Sequence, residues 1–228
     1  EYELQQDPNS FFDIPNKEWQ KTVLQFGGGS EPAEIAIIDY YLATFDASLS
    51  DTAMGAFVHD YIKDPFSSNL DAQSFFEIQE YLREGVSLMT FYGHASAGGG
   101  FSQNLDSPDK WNNPGKYPMV VGLGCYAGDV HGIDTLTYAN QLVNPANVGA
   151  IGLISTVKLG FITNIGYYTQ EMYRALGTQD YGGSMGKAMK HATDTLYQAI
   201  GSQFWQIPNE SNYTGMSLQG DPGLRLNA

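Results

Sequence analysis

Three short runs of this chain, 86–92 (VSLMTFY), 118–123 (PMVVGL) and 150–155 (AIGLIS), are apolar on both faces that a strand presents. Strands of that kind need a layer of helices on each side. Elsewhere the hydrophobic period lengthens to that of helices, and the alternation predicts an α/β fold: a mainly parallel sheet with helices on both faces. Residues 22–26 (TVLQF) run into Gly27-Gly28-Gly29 and predict another buried strand, and 55–63 (GAFVHDYIK) a further one. Ser30 is placed to cap a helix with Glu31, Pro32 and Glu34 in its first turn, its apolar face running through Ile35, Ile38, Leu42 and Phe45 to about residue 48. Further helices are expected over 71–83, stopped by Gly85, over 135–143, 164–176 and 184–200. The stretch 94–116, rich in Gly, Ser, Asn and Pro, reads as a loop.

A chain of 228 residues sustains one full hydrophobic core, and no compositional break forces a second. It opens without Met on a polar, Pro-containing segment, so residues 1–21 are read as a lead-in from a truncated upstream region and 22–228 as the domain. Eleven basic against twenty-five acidic residues give a net charge of −14, which repels phosphate backbones and anionic lipid and makes nucleic acid an unsuitable partner. No apolar run approaches the length of a transmembrane helix. The single Cys forms no internal disulfide and must be judged by its site.

Several familiar signatures fail. Gly122-Leu123-Gly124-Cys125-Tyr126-Ala127-Gly128 is a loosened dinucleotide fingerprint, but no acid for a ribose closes the next strand. Gly186-Lys187 lacks the earlier glycine of a phosphate loop, no His or Cys spacing proposes zinc, and the Gly-x-Ser-x-Gly elbow fails because residue 94 is His. What remains is Gly93-His94 and Gly124-Cys125, each closing a core strand. If those strands are parallel neighbours, an imidazole and a thiol emerge at one sheet edge, where open α/β folds build their sites. An isolated cysteine is more often a small buried apolar side chain. Its joint placement with His94 instead predicts a cysteine nucleophile with a separate general base, and hence a thiol hydrolase.

The words YGHAS and GLGCYAGD resemble those of the gingipain family of secreted bacterial cysteine peptidases, whose fold is caspase-like. The similarity extends to the strand ending in GGGS, to EYLREGVSLMTFYGHAS, to NVGAIGLISTVK and to SLQGDPGLRL, and so covers nearly the whole chain. It matches the second, catalytic subdomain of that family, which implies a missing upstream subdomain of the same chain as a partner.

The resemblance implies that His94 is the general base, and later the acid, and that Cys125 is the nucleophile that forms a thioester. The family's GHGS is GHAS here, so Ala95 takes the position whose backbone amide, with that of Cys125, forms the oxyanion hole; alanine suits it only where the dihedral angles admit a Cβ. Glu31, just past the first strand, is the candidate for orienting the imidazole, the alternative being an ordinary acid in a helix's first turn. His131 competes as the base but suits a surface or substrate contact better, and His59 and His191 are assigned no chemistry.

Loops beyond the sheet's carboxyl edge should set specificity. Thr156, Val157 and Lys158 are candidates for a wall of the pocket that receives the residue before the scissile bond, though their mixed chemistry does not name it, and Asp129 and Asp134 either attract a basic side chain or only solvate a helix start. No cofactor is required; the resemblance allows structural calcium, although no regular ligand spacing is present. The expected function is a secreted or cell-surface cysteine endopeptidase acting on polypeptide. One alternative keeps the dyad but passes the acyl group to an amine, as in sortase-like members of the type IX secretion system that process secreted proteins at the cell surface. The other is a noncatalytic caspase-like scaffold or binding domain.

Overall fold

A computed structural model describes residues 14–226 apart from 65, 68, 69, 99, 102–106 and 132–136. A 3-10 helix, Ile14–Lys21, leads directly into β1 (Thr22–Gly28). α1 (Pro32–Ser50), β2 (Phe57–Ile62), α2 (Ala72–Glu84) and β3 (Leu88–Gly93) follow, then the two-residue strands β4 (Ala95–Ser96) and β5 (Gly100–Phe101). β6 (Met119–Leu123), α3 (Tyr138–Val143), β7 (Gly152–Thr156), α4 (Ile162–Gly177), α5 (Met185–Ile200), α6 (Ile207–Tyr213) and β8 (Met216–Gln219) complete the order.

Six strands form one sheet in the order β2-β1-β3-β6-β7-β8. The first five are parallel, and β8 closes the sheet antiparallel to β7. Alternate residues of each strand feed different cores. Val23, Leu88, Val121 and Ile154 pack with Phe45, Tyr173 and Leu196 from α1, α4 and α5, whereas Leu24, Met89, Val120 and Leu153 pack with Ile78, Leu82 and Leu142 from α2 and α3. This is the expected mainly parallel sheet with helices on both faces. The chain runs outward from β1 to β2, returns across it to β3, and continues through β6 and β7. Its direction of winding therefore reverses between β1 and β3, the kind of position at which α/β sheets open a crevice.

At the end of the expected lead-in, Trp19 and Gln20 are buried and Trp19 packs over Gly85. Two expectations change in detail. α1 is not capped by Ser30; its N-cap is Glu31, with no side-chain cap bond, and Glu34 reaches back to accept the Ser30 N–H at 2.8 Å. The loop 94–116 contains the β4–β5 hairpin and a 3-10 turn, Pro108–Lys110. The helix expected from residue 135 is described only from Tyr138, with Thr137 as its cap; residues 135 and 136 lie outside the described residues.

Candidate active site

Parallel pairing in register sets the site. Tyr92 of β3 is paired with Leu123 of β6, so Gly93 and Gly124 come next, and His94 and Cys125 stand at equivalent positions one residue further on. The two glycines make so close an approach possible. A Cβ on Gly124 would fall 2.5 Å from the Ala95 Cβ, 2.7 Å from the Gly93 carbonyl oxygen and 3.2 Å from the Ala95 nitrogen; a Cβ on Gly93 would fall 2.5 Å from the Gly28 carbonyl oxygen of β1. The turn bearing the thiol is thus packed against the turn bearing the imidazole and the Ala95 amide.

His94 is half exposed, and its Nε2 lies 3.2 Å from Glu34 Oε1. Helix geometry explains why Glu34 and not Glu31 is the partner. Pro32 occupies the first helical position, which leaves Glu31 extended and exposed as N-cap and puts Glu34 at the third, where a carboxylate turns back toward the helix start. Its second oxygen accepts the Ser30 N–H, so one carboxylate closes the helix end and faces the imidazole. The carboxylate beside His94 is thus that of Glu34, whereas Glu31, the expected candidate, is the exposed N-cap. The sequence signal that identifies Glu34 is the proline, which fixes the helical register.

Cys125 is partly buried, and its Sγ accepts the Gly160 N–H at 3.4 Å. The next residue, Tyr126, has φ 56°, a left-handed conformation that a tyrosine adopts only when its surroundings impose it. Here the Tyr126 N–H donates to the Lys158 carbonyl at 2.9 Å, and the Gly128 N–H to that of Thr156 at 2.9 Å. The thiol-bearing turn is therefore laced to the segment following β7. Neither the Tyr126 conformation nor the Gly160 donor has a marker in the sequence.

Ala95 lies in the β4–β5 hairpin. Among the described residues only Tyr126 and Asn147 are non-glycine residues with positive φ, so Ala95 carries no left-handed strain and its Cβ fits where Gly124 has none. Thr156, expected to line a pocket, is 1% exposed and donates its hydroxyl to the Gly124 carbonyl, so it braces the turn from behind. Val157 is half-buried and Lys158 exposed at the rim. Asp129 is engaged locally, with its Oδ1 accepting the His131 N–H at 2.9 Å; His131 is exposed, and Asp134 lies outside the described residues. His59 stacks on Tyr81, and His191 pairs with the buried carboxylate of Asp180 at 3.2 Å, both away from this edge.

Tyr92, two residues before His94, donates its hydroxyl to the Ile162 carbonyl. Burial, then the nearby Tyr41 and Glu34, drives its pKa far above the ordinary phenol value and keeps it neutral. Among the described residues no group of three or more His, Cys, Asp or Glu side chains is placed to hold a metal ion. Among the same residues no helix is long and apolar enough to cross a membrane.

A thiol and a carboxylate-backed imidazole on adjoining turns, at the carboxyl edge of a mainly parallel sheet, define an α/β protein with a thiol–imidazole site. The chain belongs to peptidase family C25, whose family model matches residues 9–227. Its fold is that of the Arg-specific cysteine proteinase gingipain R, with a TM-score of 0.69 and 14% identity over 92% of this chain and 48% of that one. It also matches the complex of Porphyromonas gingivalis RgpB pro- and mature domains (TM-score 0.69, 12% identity, 92% and 49% covered). A structure described as a protease gives a TM-score of 0.68 at 16% identity, with 93% and 49% covered. The chain thus spans about half the length of these structures. No curated protein matches it by sequence.

Proposed function

We propose that this domain is the catalytic half of a cysteine endopeptidase acting through Cys125 and His94. The observation that carries the reading is the register that sets these residues at equivalent positions beyond Tyr92 and Leu123, with Glu34 behind the imidazole. Because Glu34 faces Nε2, that nitrogen carries the proton and Nδ1 is left to accept one from Sγ. The thiolate attacks the substrate carbonyl carbon, and the oxyanion that forms is held by the amides of Ala95 and Cys125. Collapse breaks the C–N bond, the leaving amine takes the proton from His94, and a thioester remains. Water then gives a proton to His94, its oxygen adds to the thioester carbon, and the acid leaves as Cys125 regains its proton.

Membership of family C25 supports the same chemistry. The setting we propose is secreted or cell-surface, with an upstream subdomain of the same chain completing the substrate cleft. Chain coverage of about half the gingipain R structure supports that second part. The test is active-site labelling of the full-length protein by a peptide acyloxymethyl ketone. Labelling should be lost in Cys125→Ala and reduced in His94→Ala; a wild-type protein that takes up no label would favour a noncatalytic scaffold.

A further inference from the structure

We propose that Lys158 recognises the side chain before the scissile bond, and that the preferred substrates carry aspartate or glutamate there. The inference rests on the peptidase reading and adds a substrate class to it.

The backbone of Lys158 is fixed beside the nucleophile. Its carbonyl accepts the N–H of Tyr126, the residue after Cys125, at 2.9 Å, and two residues later the Gly160 N–H reaches Sγ at 3.4 Å. The segment is pinned on both sides, since the Val157 N–H donates to the Gly215 carbonyl at 3.0 Å and the Phe161 N–H to Asn212 Oδ1 at 2.8 Å.

The charges around this edge differ in how fully they are used. Glu34 is shared between His94 and the Ser30 amide, and Asp129 is turned onto the His131 amide. Lys158 is exposed, and among the described residues no carboxylate pairs with it. An uncommitted ammonium therefore stands in a chain whose acids outnumber its bases by fourteen. Tyr126, whose N–H its carbonyl accepts, and Leu159 and Phe161 of the same segment are exposed by 41%, 53% and 41%, apolar surface that a bound peptide would cover together with this segment. An ion pair shielded in this way is stronger than one in open solvent.

The net charge of −14 opposes an acidic ligand at long range, but the Debye length at physiological ionic strength is about 8 Å. Remote carboxylates are largely screened, whereas an amine within about 4 Å of the substrate is not. The local cation decides. Lysine is a point charge on a flexible stem, so both aspartate and glutamate should be accepted, unlike the stricter geometry that a guanidinium imposes.

The experiment measures kcat/KM of the full-length protein on fluorogenic peptides identical except at the residue before the leaving group: Asp, Asn, Glu, Gln, Leu or Arg. Asp and Glu are expected to exceed Asn and Gln by about 10-fold to 100-fold, the range of a partly shielded charge pair. Lys158→Met should bring those ratios toward one, Lys158→Arg should restore them, and Lys158→Glu should shift the preference to Arg. Cleavage that requires Cys125 but favours Leu or Arg in the wild type would overturn this proposal and leave the peptidase reading intact. Absence of any Cys125-dependent cleavage across the panel would overturn both.

Discussion

Glu34 Oε1 stands 3.2 Å from His94 Nε2, and its other oxygen holds the Ser30 amide at the start of α1. One side chain thereby links the first crossover helix to the imidazole at the end of β3. Glu34→Gln should lower kcat/KM about 10-fold to 100-fold, the rate equivalent of the ~1.5–3 kcal/mol carried by a hydrogen bond to a charged group. Glu31→Ala should leave it unchanged. Steady-state kinetics of the two variants side by side separates them.

Gly124 is the contact point of the two site-bearing turns. Gly124→Ala forces a methyl against the Gly93 carbonyl and the Ala95 methyl, and overpacking of this kind costs ~1–3 kcal/mol. A lowered Tm and a loss of active-site labelling of more than 100-fold are expected. Adding Ala95→Gly removes one obstruction but not the carbonyl, so the double variant should recover only in part.

Thr156 and Lys158 should differ in what their loss affects. Thr156→Val leaves the buried Gly124 carbonyl without its hydroxyl donor, a cost of ~1–3 kcal/mol, or a Tm lower by about 2–10 °C in a domain of this size. Because the side chain faces the turn and not the rim, kcat should fall with little change in substrate preference; Thr156→Ser should restore most of the loss. Differential scanning fluorimetry with kinetics reads both effects.

At the outer strand β2, Asp60 Oδ1 accepts from Gln25 Nε2 at 3.1 Å. Desolvation, followed by repulsion from Asp46, raises its pKa above the ordinary aspartate value. A carboxyl raised in the folded state favours folding when protonated, and that contribution is lost as pH rises through the folded-state pKa. Asp60→Asn keeps an acceptor for Gln25 and removes the charge. Its Tm should exceed that of the wild type at neutral pH, and the difference should shrink in acid; a difference independent of pH would contradict the assignment.

The strands were legible where they are buried on both faces, because β1, β3, β6 and β7 leave no other reading for their apolar runs. β8 was not, since MSLQ alternates apolar and polar over only four residues, too short a run to mark a strand, and gains its place by pairing with β7. α6 (IPNESNY) was missed for a similar reason: it has too few apolar residues for a helical face and is anchored by its own buried Asn212 and Tyr213. The adjoining placement of His94 and Cys125 could be read because two strand ends and two glycines frame them. Glu34 could be separated from Glu31 only by taking Pro32 as the first helical position, and the lacing of the thiol turn rests on backbone groups of Thr156, Lys158 and Gly160 that every residue carries, with the Thr156 hydroxyl added to them.

The central claim is that Cys125 is a nucleophile whose proton passes to His94. Trapping the acyl-enzyme tests it most directly: the full-length protein is mixed with a peptide ester, quenched in acid, digested and analysed by mass spectrometry. A thioester on the peptide containing Cys125, absent in Cys125→Ala and formed far more slowly in His94→Ala, is the expected result. Turnover with no acyl group on Cys125 at any quench time, or turnover that persists in Cys125→Ala, would contradict the account.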